Sequence, residues 1–250
     1  MAMVQNRLNQ NQQMQKKQEQ STTYEVNGLQ VTLTPQIVKN YLVSGDKERV
    51  TIQEVAMFIN LCKFSGLNPW LKEAYCIKYG SEPATMVVGK EAFQKRAESH
   101  PAFDGCESGI MVILPEVGEI EYRNGSFRLP DEMIIGGWAE VWRKDRTHST
   151  RIEVSFDEYA GRKKDGLLNG QWSKKPGTMI RKVALVQALR EAFPNSFGGM
   201  YSAEEQGAVE PDITVVPDVI DQPTEAPADM PPAEPVHETT NAQAALFGNE

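Results

Sequence analysis

Trp138-Ala139-Glu140-Val141-Trp142-Arg143, Lys144-Asp145-Arg146-Thr147-His148 and Ser149-Thr150-Arg151-Ile152-Glu153-Val154-Ser155-Phe156 read as two strands and the basic loop between them. A different period follows. From Gly177 or Thr178 to Phe193, the residues Met179, Val183, Val186 and Phe193 share one face at about 100° per residue, which predicts a closing helix. Between hairpin and helix, 157–177 reads as basic and irregular. Upstream, strands are expected near 107–114, 118–123, 126–129 and 134–143, with Asn124-Gly125 as a hairpin turn. Helices precede them. Lys90 to Glu98 carries Ala92, Phe93 and Ala97 inward, and strands at 74–79 and 84–88 flank the loop Gly80 to Pro83. Thr51-Ile52-Gln53-Glu54 fits a capping box, opening a helix with Val55, Phe58, Ile59, Leu61 and Cys62 apolar and Gly66 as its stop. Thr34-Pro35 opens a shorter helix bearing Ile37, Val38, Tyr41 and Leu42, and Tyr24 to Leu33 is a hairpin broken at Asn27-Gly28. Helices, then antiparallel strands, then a helix make an α+β fold, in which an antiparallel sheet and hairpins pack with helices.

The ends of the chain differ from this middle. Residues 1–23 hold seven Gln and three Asn, so they are expected to form a disordered segment. From Glu204 to Glu250 there are 11 acidic residues and no Lys or Arg, with prolines at 223, 227, 231, 232 and 235. That pattern predicts a disordered acidic tail over 207–250, leaving 24–206 as the core domain. Without residues 204–250 the charge reverses: 23 acidic residues face 26 basic ones, although the whole chain carries −8. Between 141 and 190 there are 12 Lys and Arg against five Asp and Glu. A positive stretch inside an acidic chain reads as a localised surface for a polyanion.

Several function classes find no support. No apolar run reaches the roughly 18 residues of a membrane span, and the N-terminus lacks a signal peptide's apolar stretch, so a cytosolic protein is expected. Cys62, Cys76 and Cys106 are odd in number and form no Cys-x-x-Cys pair, and His100, His148 and His237 are too scattered to complete a zinc site. There is no Walker loop, the glycines at 136–137 and 198–199 lack a dinucleotide-binding context, and no nucleophile–base pairing stands out. No cofactor and no catalytic site are expected.

The binding candidates are cations and aromatics. Arg143, Lys144 and Arg146 sit at a β-ribbon tip, where charges often serve only solubility. Arg162, Lys163 and Lys164, between Gly161 and Gly166, make a basic loop suited to long-range attraction of phosphates. Lys174, Lys175, Arg181 and Lys182 cluster at the start of the closing helix. Arg190 falls within that helix's apolar face, where a permanent charge needs either an internal carboxylate or a phosphate. The cations nearby favour the phosphate, although Arg181 and Lys182 are expected to point away from Arg190. Trp70 after Asn68-Pro69 is expected in the core, with a ligand platform as its alternative, and Tyr75 on the following strand is placed toward a groove. Lys72 lies between them. Aromatics interleaved with cations suit single strands, because stacking tolerates any base.

Gly66-Leu67-Asn68-Pro69-Trp70-x-Lys72-Glu73-x-Tyr75 resembles a signature of the RecT family of single-strand annealing proteins. Val87-Val88-Gly89, Phe103-Asp104-Gly105 and Arg143-Lys144-Asp145-Arg146-x-His148 follow at family-like spacing. Trp172, Pro176, Met179, Arg181, Gln187, Arg190, Ala192-Phe193 and Gly199-x-Tyr201 extend the similarity across about 50–206. The resemblance implies a phage-type recombination protein with an α+β core. Such proteins bind single-stranded DNA, anneal complementary strands into duplex without ATP, and assemble as rings or helical filaments. It carries DNA contact onto Lys72, Lys144, Arg181 and Arg190. It also implies contacts with a phage exonuclease or a host single-strand-binding protein. Two departures are visible: Gly177-Thr178 and Val183 stand where the family tends to be more basic, and an acidic tail replaces a helical accessory domain. Residues alone leave two other classes open, a metal-dependent phage nuclease and a non-catalytic nucleic-acid-binding accessory module.

Overall fold

The computed structural model describes residues 21–114, 116 and 118–208. The expected N-terminal segment apart from 21–23 and the expected tail apart from 207–208 lie outside the described residues, as does a second unit, Asp212–Glu250.

The first hairpin forms as its turn residues dictate. Strand β1 (Thr22–Val26) pairs antiparallel with β2 (Leu29–Leu33), and Asn27 and Gly28 take φ of 50° and 78°. Thr34 caps the turn α1 (Pro35–Ile37), its hydroxyl accepting from the Ile37 N–H, and the chain continues as a π-helical turn over Val38–Leu42. Tyr41 turns outward and is exposed, because Val38 and Leu42 already fill the inward positions. Strand β3 (Val43–Gly45), absent from the sequence expectation, pairs in parallel with β4 (Ala74–Lys78), which pairs antiparallel with β5 (Thr85–Val88). Between β3 and β4 the chain forms α2 (Ile52–Phe64), opened by a complete Thr51/Glu54 capping box. Helix α3 (Lys90–Glu98) follows with Ala92, Phe93 and Ala97 buried as expected.

Four strands make the main sheet: β6 (Phe103–Ile113), β7 (Ile120–Asn124), β8 (Met133–Arg143) and β9 (Thr150–Ser155), in the order β7-β6-β8-β9, all antiparallel. The expected strand at 126–129 does not form. Instead the carboxylate of buried Glu132 accepts from the Leu129 N–H and pairs with Arg123, curling the segment into a loop. Residues 157–177 are more regular than expected: α4 (Phe156–Tyr159) and α5 (Gly170–Lys174) bracket a loop closed by an Arg162–Leu168 bridge, and the Asn169 side chain caps α5.

Helix α6 (Pro176–Ala192) crosses β8, β9 and β6. Its apolar surface is wider than the one face expected: Ile180, Val183, Ala184, Leu185, Val186, Ala188 and Leu189 are all buried. A helix apolar all round is one covered on both sides, and here the sheet lies beneath while α3, α5 and Phe197 and Met200 of the following chain add cover. The crossing is close. A Cβ on Gly137 would lie 2.6 Å from the Ile180 carbonyl oxygen, so only glycine admits the helix at this distance.

Candidate nucleic-acid interface

The turn after α2 is built rigidly. Pro69–Leu71 forms a single 3₁₀ turn whose Trp70 N–H donates to the Asn68 side chain at 3.1 Å. Lys72 ends it in the left-handed conformation at φ 61°. The buried Glu73 carboxylate accepts from the Asn68 N–H at 2.8 Å and pairs with Lys95 at 2.7 Å. Gly89 closes the arrangement: its N–H donates to the Glu73 carbonyl, and a Cβ there would lie 2.9 Å from the Lys72 carbonyl oxygen. Trp70, expected in the core, is 47% exposed, because the turn directs it outward while Leu67 and Pro69 point in. Tyr75 is half-buried beside Ile77, Val87 and Ala203.

Gly89 leads directly into Lys90, and there the helices meet. Lys90, Glu91, Thr178, Arg181, Lys182 and Leu185 line a hollow of about 210 Å³ between the start of α3 and the first turns of α6. Three cations and a hydroxyl thus gather around one opening, with one carboxylate, Glu91, 3.9 Å from Lys90. Arg181 donates to the Ser108 hydroxyl at 2.9 Å, a neutral partner, and no ion pair engages it among the described residues. Lys90 escaped the sequence reading. Its signal was the Val87-Val88-Gly89 motif immediately before it.

A larger hollow, about 320 Å³, opens near the first hairpin turn and is lined by Glu25, Glu73, Lys95 and Arg96 among others. Its cations are engaged. Lys95 holds Glu73, and the Arg96 guanidinium donates to the Ser196 carbonyl at 2.9 Å.

The thirteen residues singled out from sequence divide by what they touch. Lys72, Lys144, Arg146, Lys163, Lys164, Lys174 and Lys175 are exposed, and among the described residues no ion pair engages them. Four others hold carboxylates. Arg143 grips Asp145 through two bonds of 2.8 and 2.7 Å, donates to the Ala192 carbonyl and lies 4.6 Å over the Phe193 ring. That grip lowers the Asp145 pKa to about 2. Arg162 pairs with Asp157 at 3.1 Å. Lys182, buried, pairs with Glu204 at 3.2 Å. Arg190 pairs with Glu205 and lies 4.2 Å over the Tyr201 ring. The sequence favoured a phosphate for Arg190; the structure supplies a carboxylate. Lys182 and Arg190 also share a side of α6, both meeting the segment 201–205, whereas only Arg181 points elsewhere.

Elsewhere the titrating groups are structural. The Lys78 ammonium and the Thr51 N–H hold the Glu54 carboxylate down to about 2. Burial pushes the Cys62 thiol up to about 12 and the Cys76 thiol up to about 11, which keeps both protonated and unreactive at neutral pH. Among the described residues no three of His, Cys, Asp and Glu gather as metal ligands, and no helix is long and apolar enough to cross a membrane.

Recombination protein bet of Escherichia phage lambda is 27% identical over 144 residues, 56% of this chain and 46% of that protein. The chain therefore aligns with about half the length of the lambda protein. An uncharacterized protein of Ureaplasma parvum serovar 3 is 26% identical over 170 residues, 66% of this chain and 67% of its own length. The sequence profile of the RecT family matches residues 31–218, three quarters of the molecule, and the chain accordingly belongs to the RecT family.

Proposed function

We propose that this protein binds single-stranded DNA and anneals complementary strands without ATP, acting as a homo-oligomer, ring or helical filament, in phage-type recombination. The observation that carries the reading is the hollow where Lys90 and Arg181 converge beside Thr178 in a RecT-family chain. The name of the lambda relative, a recombination protein, supports the same biological setting.

In this reading Lys90 and Arg181 hold the phosphodiester backbone at the hollow. Lys72, Lys144, Arg146, Lys163, Lys164, Lys174 and Lys175 add attraction from the rim. Arg143, Arg162, Lys182 and Arg190, already paired, fix the surface that the others decorate. Phosphate contacts position a strand without reading its sequence, so the bases stay available to a second strand. Neutralised phosphates lessen repulsion between the two strands, and pairing and stacking supply about 1.4 kcal/mol per step, enough to dispense with a nucleotide motor.

The experiment mixes fluorescently labelled complementary oligonucleotides with the full-length protein in the absence of nucleoside triphosphates. Annealing faster than in protein-free buffer is expected. Single-strand affinity should fall as salt rises, with a log–log slope near −0.7 per phosphate contacted. Unaccelerated annealing, or an affinity indifferent to salt, overturns the reading. Fragmentation of the DNA in magnesium would instead favour a nuclease.

A further inference from the structure

Lys72 and Lys90 belong to separate elements, yet the backbone brings their neighbourhoods together. The Lys72 carbonyl is so close to Gly89 that a Cβ at that position would intrude to 2.9 Å, and the Tyr75 ring lies 3.6 Å from the same point. The turn Pro69–Leu71 therefore adjoins the residue that opens α3, and Lys90 is the first residue of the hollow beyond it. What this turn presents to solvent is an indole. Trp70 is 47% exposed and Leu71 55%. A buried carboxylate, an asparagine cap and a left-handed lysine all serve to hold the turn in shape. Those devices stabilise the backbone, while the largest side chain of the turn buries about half its surface. A preorganised turn that leaves an aromatic ring outside is built for a contact the isolated chain does not make.

We infer that Trp70 is a stacking platform for a nucleobase of the strand whose phosphates sit at the Lys90–Arg181 hollow. The inference rests on the proposed single-strand binding and adds to it a base contact. The chemistry selects this occupant. Every base offers a π face, so stacking is indifferent to sequence, and Lys72 next to the ring supplies charge for the adjoining phosphate. A ring on one side and cations on the other hold a nucleotide by its flat face and its backbone. The pairing edge is left uncovered.

The test compares Trp70→Ala and Trp70→Phe with the unaltered full-length chain, using oligothymidylate as the probe. Trp70→Ala is expected to lower single-strand affinity by roughly tenfold, while Trp70→Phe, retaining a ring, stays within about threefold. The salt slope should be the same for all three, because stacking releases no counterions. Binding should also quench the tryptophan emission of the unaltered protein, and Trp70→Phe should abolish most of that quenching. The other three tryptophans offer little surface, Trp138 and Trp172 being 5% and 2% exposed and Trp142 half-buried. Wild-type affinity in Trp70→Ala overturns the inference, as does an altered oligomer size with affinity intact, which would mark Trp70 as a subunit contact. Arg181→Ala is the control for the underlying reading. Loss of binding in Arg181→Ala but not in Trp70→Ala rejects the platform alone, whereas a wild-type chain that fails to bind oligothymidylate rejects both.

Discussion

Arg181 and Lys182 are neighbours in the chain and opposites in circumstance. Arg181, on the sheet side of α6, donates to the Ser108 hydroxyl, and no ion pair engages it among the described residues. Lys182, on the other side, is buried against Glu204, and two turns later Arg190 meets Glu205. The segment 201–205 thus neutralises one side of the helix. It does so with a firm hold: Ser202 and Ala203 are buried, and the Val88 N–H donates to the Tyr201 carbonyl at 2.8 Å. The difference teaches that net positive charge along a helix is a poor guide to which cations face a ligand. The partner each one already has is a better one.

The comparison breaks most visibly at Glu204. Glu204→Ala removes a carboxylate paired with the buried Lys182 ammonium, which costs about 1.5–3 kcal/mol of stability. A large drop in the denaturant midpoint is expected, with single-strand affinity of the folded fraction little altered. A stable variant with changed affinity would show that the two sides of α6 have been assigned the wrong way round. Arg181→Ala should do the reverse. Its melting temperature stays near wild type while single-strand affinity falls by roughly tenfold, about 1.4 kcal/mol, in fluorescence anisotropy.

Arg190→Ala sharpens the contrast, because this arginine is a quarter exposed yet stands on a nearly buried carboxylate. A stability loss of about 1–2 kcal/mol by chemical denaturation is expected, larger than any change in DNA affinity. The smallest effect belongs to the loop. Lys163→Ala with Lys164→Ala should leave melting unchanged and reduce the salt slope by about 0.7 for each phosphate contact removed. An unchanged slope would exclude this loop from the interface.

What could be read from the residues was mostly local. The Asn27-Gly28 hairpin, the Thr51/Glu54 capping box and the inward face of α3 each depend on residues within a few positions of one another, and each forms as expected. The misses share a different cause. The loop at 126–132 curls because Glu132 meets Arg123 on another strand, and β3 exists only because β4 lies beside it. Arg190 drew a phosphate reading because its partner stands 15 residues later, in a stretch that looked like the onset of an acidic tail. Trp70 after Asn68-Pro69 reads from the sequence as core rather than platform. Its outward direction follows from the turn geometry fixed by Asn68, Glu73 and Gly89 together. Of the candidate interface, the cations were legible as a composition; which of them stand open depends on long-range partners that spacing does not encode.

Gly137 has a bearing on how such an interface would move. With the Ile180 carbonyl seated directly on the strand, α6 lies in near backbone contact with β8 at the point next to Arg181. The same strand ends at the tip carrying Lys144 and Arg146. Helix and ribbon are therefore keyed to each other like two teeth of one casting, and the charges they bear keep a fixed separation. A strand laid along them would meet a ruler rather than a set of independent tethers, and Gly137→Ala, by prising the helix off, would blur its graduations before it erased any single mark.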